Sequence, residues 1–105
     1  GDAKPHIIAE GEGFTHIHCT ADGKYWVADC NRTGRIYVGS CDTGRYRLLA
    51  ESDASFGCAQ ETHPHPCFIG DKYVGWNSDK RGHTDVYVAE VPAWLWEAIS
   101  CSGAE

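Results

Sequence analysis

The chain has 105 residues, with nine lysines and arginines against fifteen aspartates and glutamates, which gives a formal net charge of −6. This length allows one small domain at most, and 42% hydrophobic with 11% aromatic residues are sufficient for a folded core. The acidic balance argues against nucleic acid as a partner, and no apolar run is long enough to span a bilayer. The chain lacks methionine, an initiator included, so a processed or excised piece is expected.

The predicted elements are short strands in two groups. Residues 6–10 are a candidate outer strand of a preceding unit. The first group is predicted at residues 16–20, 24–30, 35–41 and 46–51. Residues 52–62 then connect to a second group at residues 63–68, 72–78 and 84–91. After Pro92, residues 93–99 are a short helix candidate.

An internal repeat relates the two groups. The letters DGKYWV at residues 22–27 recur as GDKYVG at residues 70–75, and Lys24 and Lys72 lie 48 positions apart. A four-stranded propeller blade has a period of roughly 40–50 residues. The repeat therefore predicts an all-β chain, a partial β-propeller of about two four-stranded antiparallel blades. Blade one covers about residues 14–51, blade two about 62–91, and a C-terminal tail 92–105.

Four of the six histidines fall into two matching pairs, His16 with His18 and His63 with His65, and Gln60 lies three residues before His63. In an extended strand, residues two apart point to the same side, so each pair directs two imidazoles to one place. Imidazole is a common metal ligand. A lone His-x-His pair is more often solvated or hydrogen-bonded. Two pairs on neighbouring inner strands, with Gln60 at matching distance, favour a metal site.

The six cysteines contain no CxxC or CxxCH spacing, which argues against a structural zinc finger and a covalent haem. They leave two readings open: free thiols that pack as small apolar groups, or up to three disulfides in a secreted chain. Among the remaining residues, His83 is expected to be solvated and Asp79 to form a turn. Four aromatic residues at strand positions are expected in the core rather than on a sugar-binding surface: Trp26, Tyr37, Trp76 and Tyr87.

The letters QETHPHPCF at residues 60–68, followed by DKYV at 71–74 and NSD at 77–79, resemble the C-terminal blades of oligogalacturonate lyases of the seven-bladed propeller type. TolB-like propeller repeats share the pattern more loosely, and that likeness supports the fold but says nothing about chemistry. The discriminating part is the Gln-x-x-His-x-His cluster. The resemblance implies that this cluster, joined by one histidine of the preceding blade, holds a divalent metal.

Carried over residue by residue, the resemblance implies Gln60, His63 and His65 as ligands, and either His16 or His18 as the fourth. The implied metal is manganese, with zinc, nickel or cobalt as alternatives. The family's proposed base, an arginine, would lie in earlier blades, so the catalytic residue is unassigned and the isolated chain is expected to be inactive.

Three imidazoles and one amide oxygen are neutral, so such a site leaves a divalent ion with net positive charge, which suits an anionic ligand. The resemblance implies oligomers of 4-linked galacturonate, cleaved by β-elimination, in which the metal offsets charge that develops at the carboxylate. It also implies a cytoplasmic protein, whereas six cysteines favour a secreted one.

Three hypotheses follow. The first is the metal-binding segment of an oligogalacturonate lyase-like protein. The second is a non-catalytic propeller module that assembles with further copies, or with the remainder of a larger propeller, and binds metal or protein. The third is a small disulfide-stabilised domain whose repeat is only structural.

Overall fold

The fold is described from a computed structural model, which covers residues 5, 7–57, 59 and 62–101. Seven strands and one helix follow each other along these residues. The strands are β1 (Phe14–Cys19), β2 (Tyr25–Cys30), β3 (Arg35–Ser40), β4 (Tyr46–Glu51), β5 (Cys67–Ile69), β6 (Tyr73–Ser78) and β7 (Asp85–Glu90). The helix α1 spans Ala93–Ser100.

The strands form two antiparallel sheets in simple sequence order. The first sheet has the order β1-β2-β3-β4 and the second has β5-β6-β7. Tight turns join neighbouring strands, and glycines adopt the positive φ that these turns require, for example Gly23 at 74° and Gly34 at 76°. The predicted all-β architecture of two blade-like sheets is confirmed, with three described strands in the second sheet.

Alternation along β2 distributes its side chains between two cores. Val27 belongs to a cluster between the sheets, whereas Trp26 and Ala28 belong to a cluster on the opposite face of the first sheet. This is the two-residue period of a strand that is buried on both faces. The cluster between the sheets consists of Val27, Ile36, Val38, Val74, Trp76, Val91, Leu95 and Ile99. Helix α1 therefore completes the core that joins the two sheets.

The core assignments of the aromatic residues are confirmed. Trp26, Tyr37 and Trp76 are buried, and Tyr87 packs partly buried against the core between the sheets. Trp26 lies so close to Gly39 on the neighbouring strand that a side chain at that position would overlap its indole ring. The glycine thus permits the close approach of ring and strand.

One strand differs from its prediction. The first strand of the second sheet was expected at residues 63–68, but β5 comprises only Cys67–Ile69. Pro64 and Pro66 lack the N–H that a ladder requires, and His65 has a positive φ of 44° that is incompatible with a strand. The two histidines of this segment therefore lie on a loop, held by a hydrogen bond from the Asn77 N–H to the Pro64 carbonyl at 2.8 Å.

Two further expectations concern the ends and the cysteines. Residues 7–10 form no strand, and His6 lies outside the described residues. Of the cysteines within the described ranges, all five are free thiols: Cys19, Cys30, Cys41, Cys67 and Cys101. Cys58, which belongs to the predicted connection at residues 52–62, is outside them. The helix candidate at 93–99 is confirmed as α1, and among the residues placed by the structure no helix has the length and apolarity to cross a membrane.

Candidate metal centre

Three imidazoles lie together where the first sheet meets the loop that leads into the second. His16 comes from β1, and His63 and His65 come from the loop before β5. The ring centroids of His16 and His65 are 3.9 Å apart, those of His16 and His63 are 5.5 Å apart, and those of His63 and His65 are 6.1 Å apart. Residues separated by about half the chain therefore converge at one place.

His16 is held by a buried carboxylate on the neighbouring strand. Its backbone N–H donates to Asp29 Oδ1 at 2.9 Å, and its Nδ1 lies 3.0 Å from Oδ2 and 3.2 Å from Oδ1. Asp29 is fully buried. A carboxylate only accepts hydrogen bonds, so Nδ1 is the donating nitrogen, and in the neutral ring Nε2 is then the one with the lone pair. The β1–β2 ladder shifts register between Phe14 and Ile17, which is where His16 makes this contact.

His63 is held in a similar way by a backbone carbonyl. Its Nε2 lies 2.8 Å from the carbonyl oxygen of Gly57, which only accepts, so Nε2 is the protonated nitrogen. The other nitrogen, Nδ1, is buried and has no hydrogen-bond partner among the described residues. A buried acceptor without a partner is costly and calls for an explanation. A bound cation would supply one.

His65 sits at the exposed side of the cluster. Partial desolvation first, and the neighbouring His16 imidazole second, lower the pKa of His65 below its ordinary value, against the opposing effect of Asp29. Its positive φ is one of three among non-glycine residues of the described chain, together with Asp53 at 56° and Phe56 at 54°. All three lie on the connection between the sheets. Strained backbone of this kind concentrates at functional sites.

The loop that carries the Gly57 carbonyl is anchored from the second sheet. Asp79 accepts hydrogen bonds from the Ser55 N–H at 2.8 Å and from its hydroxyl at 2.6 Å. The Ser55 hydroxyl is the main cause that lowers the pKa of the Asp79 carboxyl below its ordinary value. Asp79 follows β6 as predicted for a turn residue, but it also fixes the position of the connection between the sheets.

His18 is engaged elsewhere. Its Nδ1 accepts a hydrogen bond from the backbone N–H of Phe68 at 3.0 Å, and so links β1 to β5. The sequence left His16 and His18 as alternatives for one ligand position, and the structure places His16 beside His63 and His65. Gln60, the fourth residue of the predicted set, lies outside the described residues. His83 is in an exposed hairpin turn as expected, with Nε2 3.3 Å from Asp85 Oδ1.

Comparison with known proteins points to one kind of enzyme. The chain is 36% identical over 67 residues to the oligogalacturonate lyase of Dickeya dadantii (strain 3937), a match that covers 59% of this chain and 17% of the relative. It is 38% identical over 66 residues to an oligogalacturonide lyase of Pectobacterium atrosepticum, covering 58% and 17%. This chain resembles part of an oligogalacturonate lyase. No family model matches it.

Solved structures agree with this resemblance. An oligogalacturonate lyase in complex with manganese superposes with a TM-score of 0.75 at 26% identity, over 85% of this chain and 26% of that one. The oligogalacturonate lyase of Vibrio parahaemolyticus gives the same TM-score of 0.75 at 24% identity, which supports the fold. The matched stretch is thus about one sixth of the length of the curated lyases and about a quarter of the solved ones.

The donor types of this cluster, imidazole nitrogens, are ones that divalent cations accept, but the rings are not positioned around a single point. No group of three or more His, Cys, Asp or Glu among the described residues is arranged to hold a metal ion as it stands. When two imidazoles bind one ion, each with a nitrogen about 2.1 Å from the ion, their ring centroids lie roughly 4.5–5.5 Å apart. The three observed separations, from 3.9 to 6.1 Å, scatter on both sides of that range. The cluster therefore needs ring adjustments within the loop, and the partnerless Nδ1 of His63 supports the fit.

Two contributors were missed by reasoning from the sequence. Asp29 was unassigned, although a single carboxylate within the apolar letters WVADC of β2 is a signal that a buried charge needs a partner. The Gly57 carbonyl carries no sequence signal, because any residue supplies a backbone oxygen.

Proposed function

We propose that His16, His63 and His65, together with Gln60, bind a divalent cation in the metal-binding segment of an oligogalacturonate lyase-like protein. Manganese is the first candidate, with zinc, nickel or cobalt as alternatives. The observation that carries the proposal is the convergence of three imidazoles, one from β1 and two from the loop before β5. In His16 and His63 a protein oxygen engages one ring nitrogen, and in the neutral ring the other nitrogen is an acceptor. A relative of the same fold was solved with manganese.

The charges of these residues favour an anionic ligand. Neutral imidazoles and an amide oxygen contribute no charge, so a bound divalent cation keeps a net positive charge even with the one carboxyl group of Asp29 behind His16. When bound, a divalent cation supplies Lewis-acid stabilisation of negative charge on a carboxylate oxygen. Galacturonate oligomers carry one carboxylate on each sugar. We therefore propose them as the substrate of the complete protein, which would cleave them by β-elimination.

Proton removal requires a base that this proposal leaves unassigned. The metal-bearing cluster contains imidazoles that are committed to binding, and no arginine is placed in that role. Since the matched stretch is 17% of each curated relative, we expect the isolated chain to bind the metal without cleaving substrate.

Manganese titration of histidine variants tests the proposal. Isothermal titration calorimetry of the chain with Mn²⁺ is expected to show one site at neutral pH, which His63→Ala abolishes or weakens by more than about tenfold. His83→Ala is the matched control, because His83 lies in an exposed turn and its removal is expected to leave the Mn²⁺ affinity unchanged. Equal affinity of His63→Ala and the unmodified chain would refute the site.

A second candidate, assembly through a sheet face, rests on the outer face of the second sheet. Tyr87 and Ala89 of β7 pack toward the core, so the alternate residues point outward, and Val86 and Val88 are 72% and 54% exposed. Exposed valines on a sheet face favour packing against a further sheet. Native mass spectrometry tests this candidate. An assembly of identical copies that Val88→Lys dissociates and His83→Ala leaves intact would support a self-assembling module. A monomer at all concentrations would count against it.

A further inference from the structure

Asp29 places a carboxyl group where the fold needs only a neutral acceptor. It lies on β2 opposite Ile36 of β3, and none of it is accessible to solvent. Its hydrogen bonds from described residues come from one residue, His16, through the backbone N–H and through Nδ1. An amide oxygen would also accept from that N–H. Burying a carboxylate costs considerably more than burying an amide, so the charge itself requires a reason.

The orientation of the His16 ring supplies that reason. Both Asp29 oxygens lie within 3.2 Å of Nδ1, which favours the proton on that nitrogen and, in the neutral ring, leaves the lone pair on Nε2. A carboxylate behind a metal-binding histidine fixes its tautomer, orients its ring and makes the opposite nitrogen a better ligand. The Gly57 carbonyl does the same for His63 without a charge.

We infer that Asp29 is a positioning residue for the metal centre, acting through His16 and not touching the cation. This inference rests on the proposed metal-binding function, and it assigns Nε2 of His16 and Nδ1 of His63 as the nitrogens that face the cation. The carboxylate is placed by β2, and the register shift of the β1–β2 ladder brings the His16 ring onto it. The ladder irregularity is therefore part of how the site is built.

The tautomer of His16 gives a first test that requires no variant. Long-range ¹H–¹⁵N NMR of the metal-free chain above the imidazole pKa is expected to show His16 with its proton on Nδ1. Most neutral histidines in water carry the ring proton on Nε2. If Asp29 served only to accept the hydrogen bond from the His16 backbone N–H, the ring would be expected in this Nε2–H tautomer. Detection of His16 mainly as the Nε2–H tautomer overturns the inference, whether or not metal binds.

The second test compares Asp29→Asn with Ser40→Ala, a buried polar residue near the opposite end of the same sheet. Asp29→Asn is expected to weaken Mn²⁺ binding about 10–100-fold and to let the His16 ring populate both tautomers. Ser40→Ala is expected to leave the Mn²⁺ affinity and the His16 tautomer unchanged. Equal Mn²⁺ affinity of Asp29→Asn and the unmodified chain overturns the inference. If the unmodified chain binds no Mn²⁺, the proposed function fails, and the tautomer alone then decides the Asp29 contact. If Asp29→Asn does not fold, the tautomer of the unmodified chain decides in the same way.

Discussion

Replacing Gly39 by alanine is expected to destabilise the first sheet, because the added methyl group has no space beside Trp26. Gly39 lies on β3 directly opposite Trp26 on β2, and an alanine Cβ would overlap the Cζ2 and Cε2 atoms of the indole. The indole is only 3% exposed and contacts Phe14 edge-on at 5.1 Å, so any displacement of the ring breaks this packing.

The magnitude follows from two opposing effects. Overpacking of this kind costs about 1–3 kcal/mol, and complete expulsion of a tryptophan costs as much as about 3–5 kcal/mol. Alanine restricts the unfolded chain more than glycine does, and this effect raises the free energy of unfolding by about 0.4–1 kcal/mol. We therefore expect a net loss of roughly 1–2 kcal/mol in the free energy of unfolding. For a domain of this size such a loss lowers Tm by roughly 4–16 °C.

Gly75→Ala is the matched control, because it places the same methyl group on a strand of the second sheet. The nearest atom there is Cδ1 of Ile69 at 2.7 Å, the flexible end of a side chain that is 44% exposed. Rotation of Ile69 relieves the contact, so the change is expected to be within about 0.5 kcal/mol. Urea unfolding followed by tryptophan fluorescence measures both variants. Equal midpoints for Gly39→Ala and Gly75→Ala would refute the steric argument.

Two further predictions concern contacts outside the sheets. Asp79→Asn is expected to lower the free energy of unfolding near pH 6, because it weakens the hydrogen bonds from Ser55. The folded-state pKa of Asp79 lies below its unfolded value of 3.8. The stability that the ionised carboxylate contributes is therefore present above pH 3.8 and is lost as the pH falls through the folded-state pKa. The difference between the urea midpoints of variant and unmodified chain should therefore be largest above about pH 4 and become smaller as the pH falls below 3.8; a difference that stays constant on acidification would contradict this. Thr43→Val removes the hydroxyl that donates to the Ile99 carbonyl at 2.6 Å, which is expected to cost about 1 kcal/mol and to accelerate amide exchange in the last turn of α1. Unchanged exchange there would mean that this contact does not hold the helix end.

The strands that were predictable from sequence are those that alternation and turn chemistry define locally. Outer strand β4 matches its predicted range, and β2 and β6 begin one residue after the predicted start, each following a turn with Asp and Gly. The segment with His63 and His65 was assigned to a strand because its spacing has period two. Its two prolines and the positive φ of His65 override that spacing, so the imidazoles converge from a loop.

The candidate site was predictable in its residue types and not in its contacts. The histidine pairs predict that imidazoles meet at one place, but only the β1–β2 register brings Asp29 to His16. The choice between His16 and His18 likewise depends on the position of β5, whose Phe68 N–H occupies His18. Contacts of this kind depend on ladder irregularities and on strand neighbours, which residue spacing along the chain does not encode.

The position of the three imidazoles has a consequence for the order in which the molecule loses its structure. One belongs to the first sheet and two belong to the connection into the second, so a cation held by all three would tie the two sheets together. By mass action, a ligand present at a hundred times its Kd adds about 2.7 kcal/mol to the free energy of unfolding. Removal of the cation by a chelator would therefore weaken the contact between the sheets first, and that contact would then depend on the apolar core that both sheets share with α1.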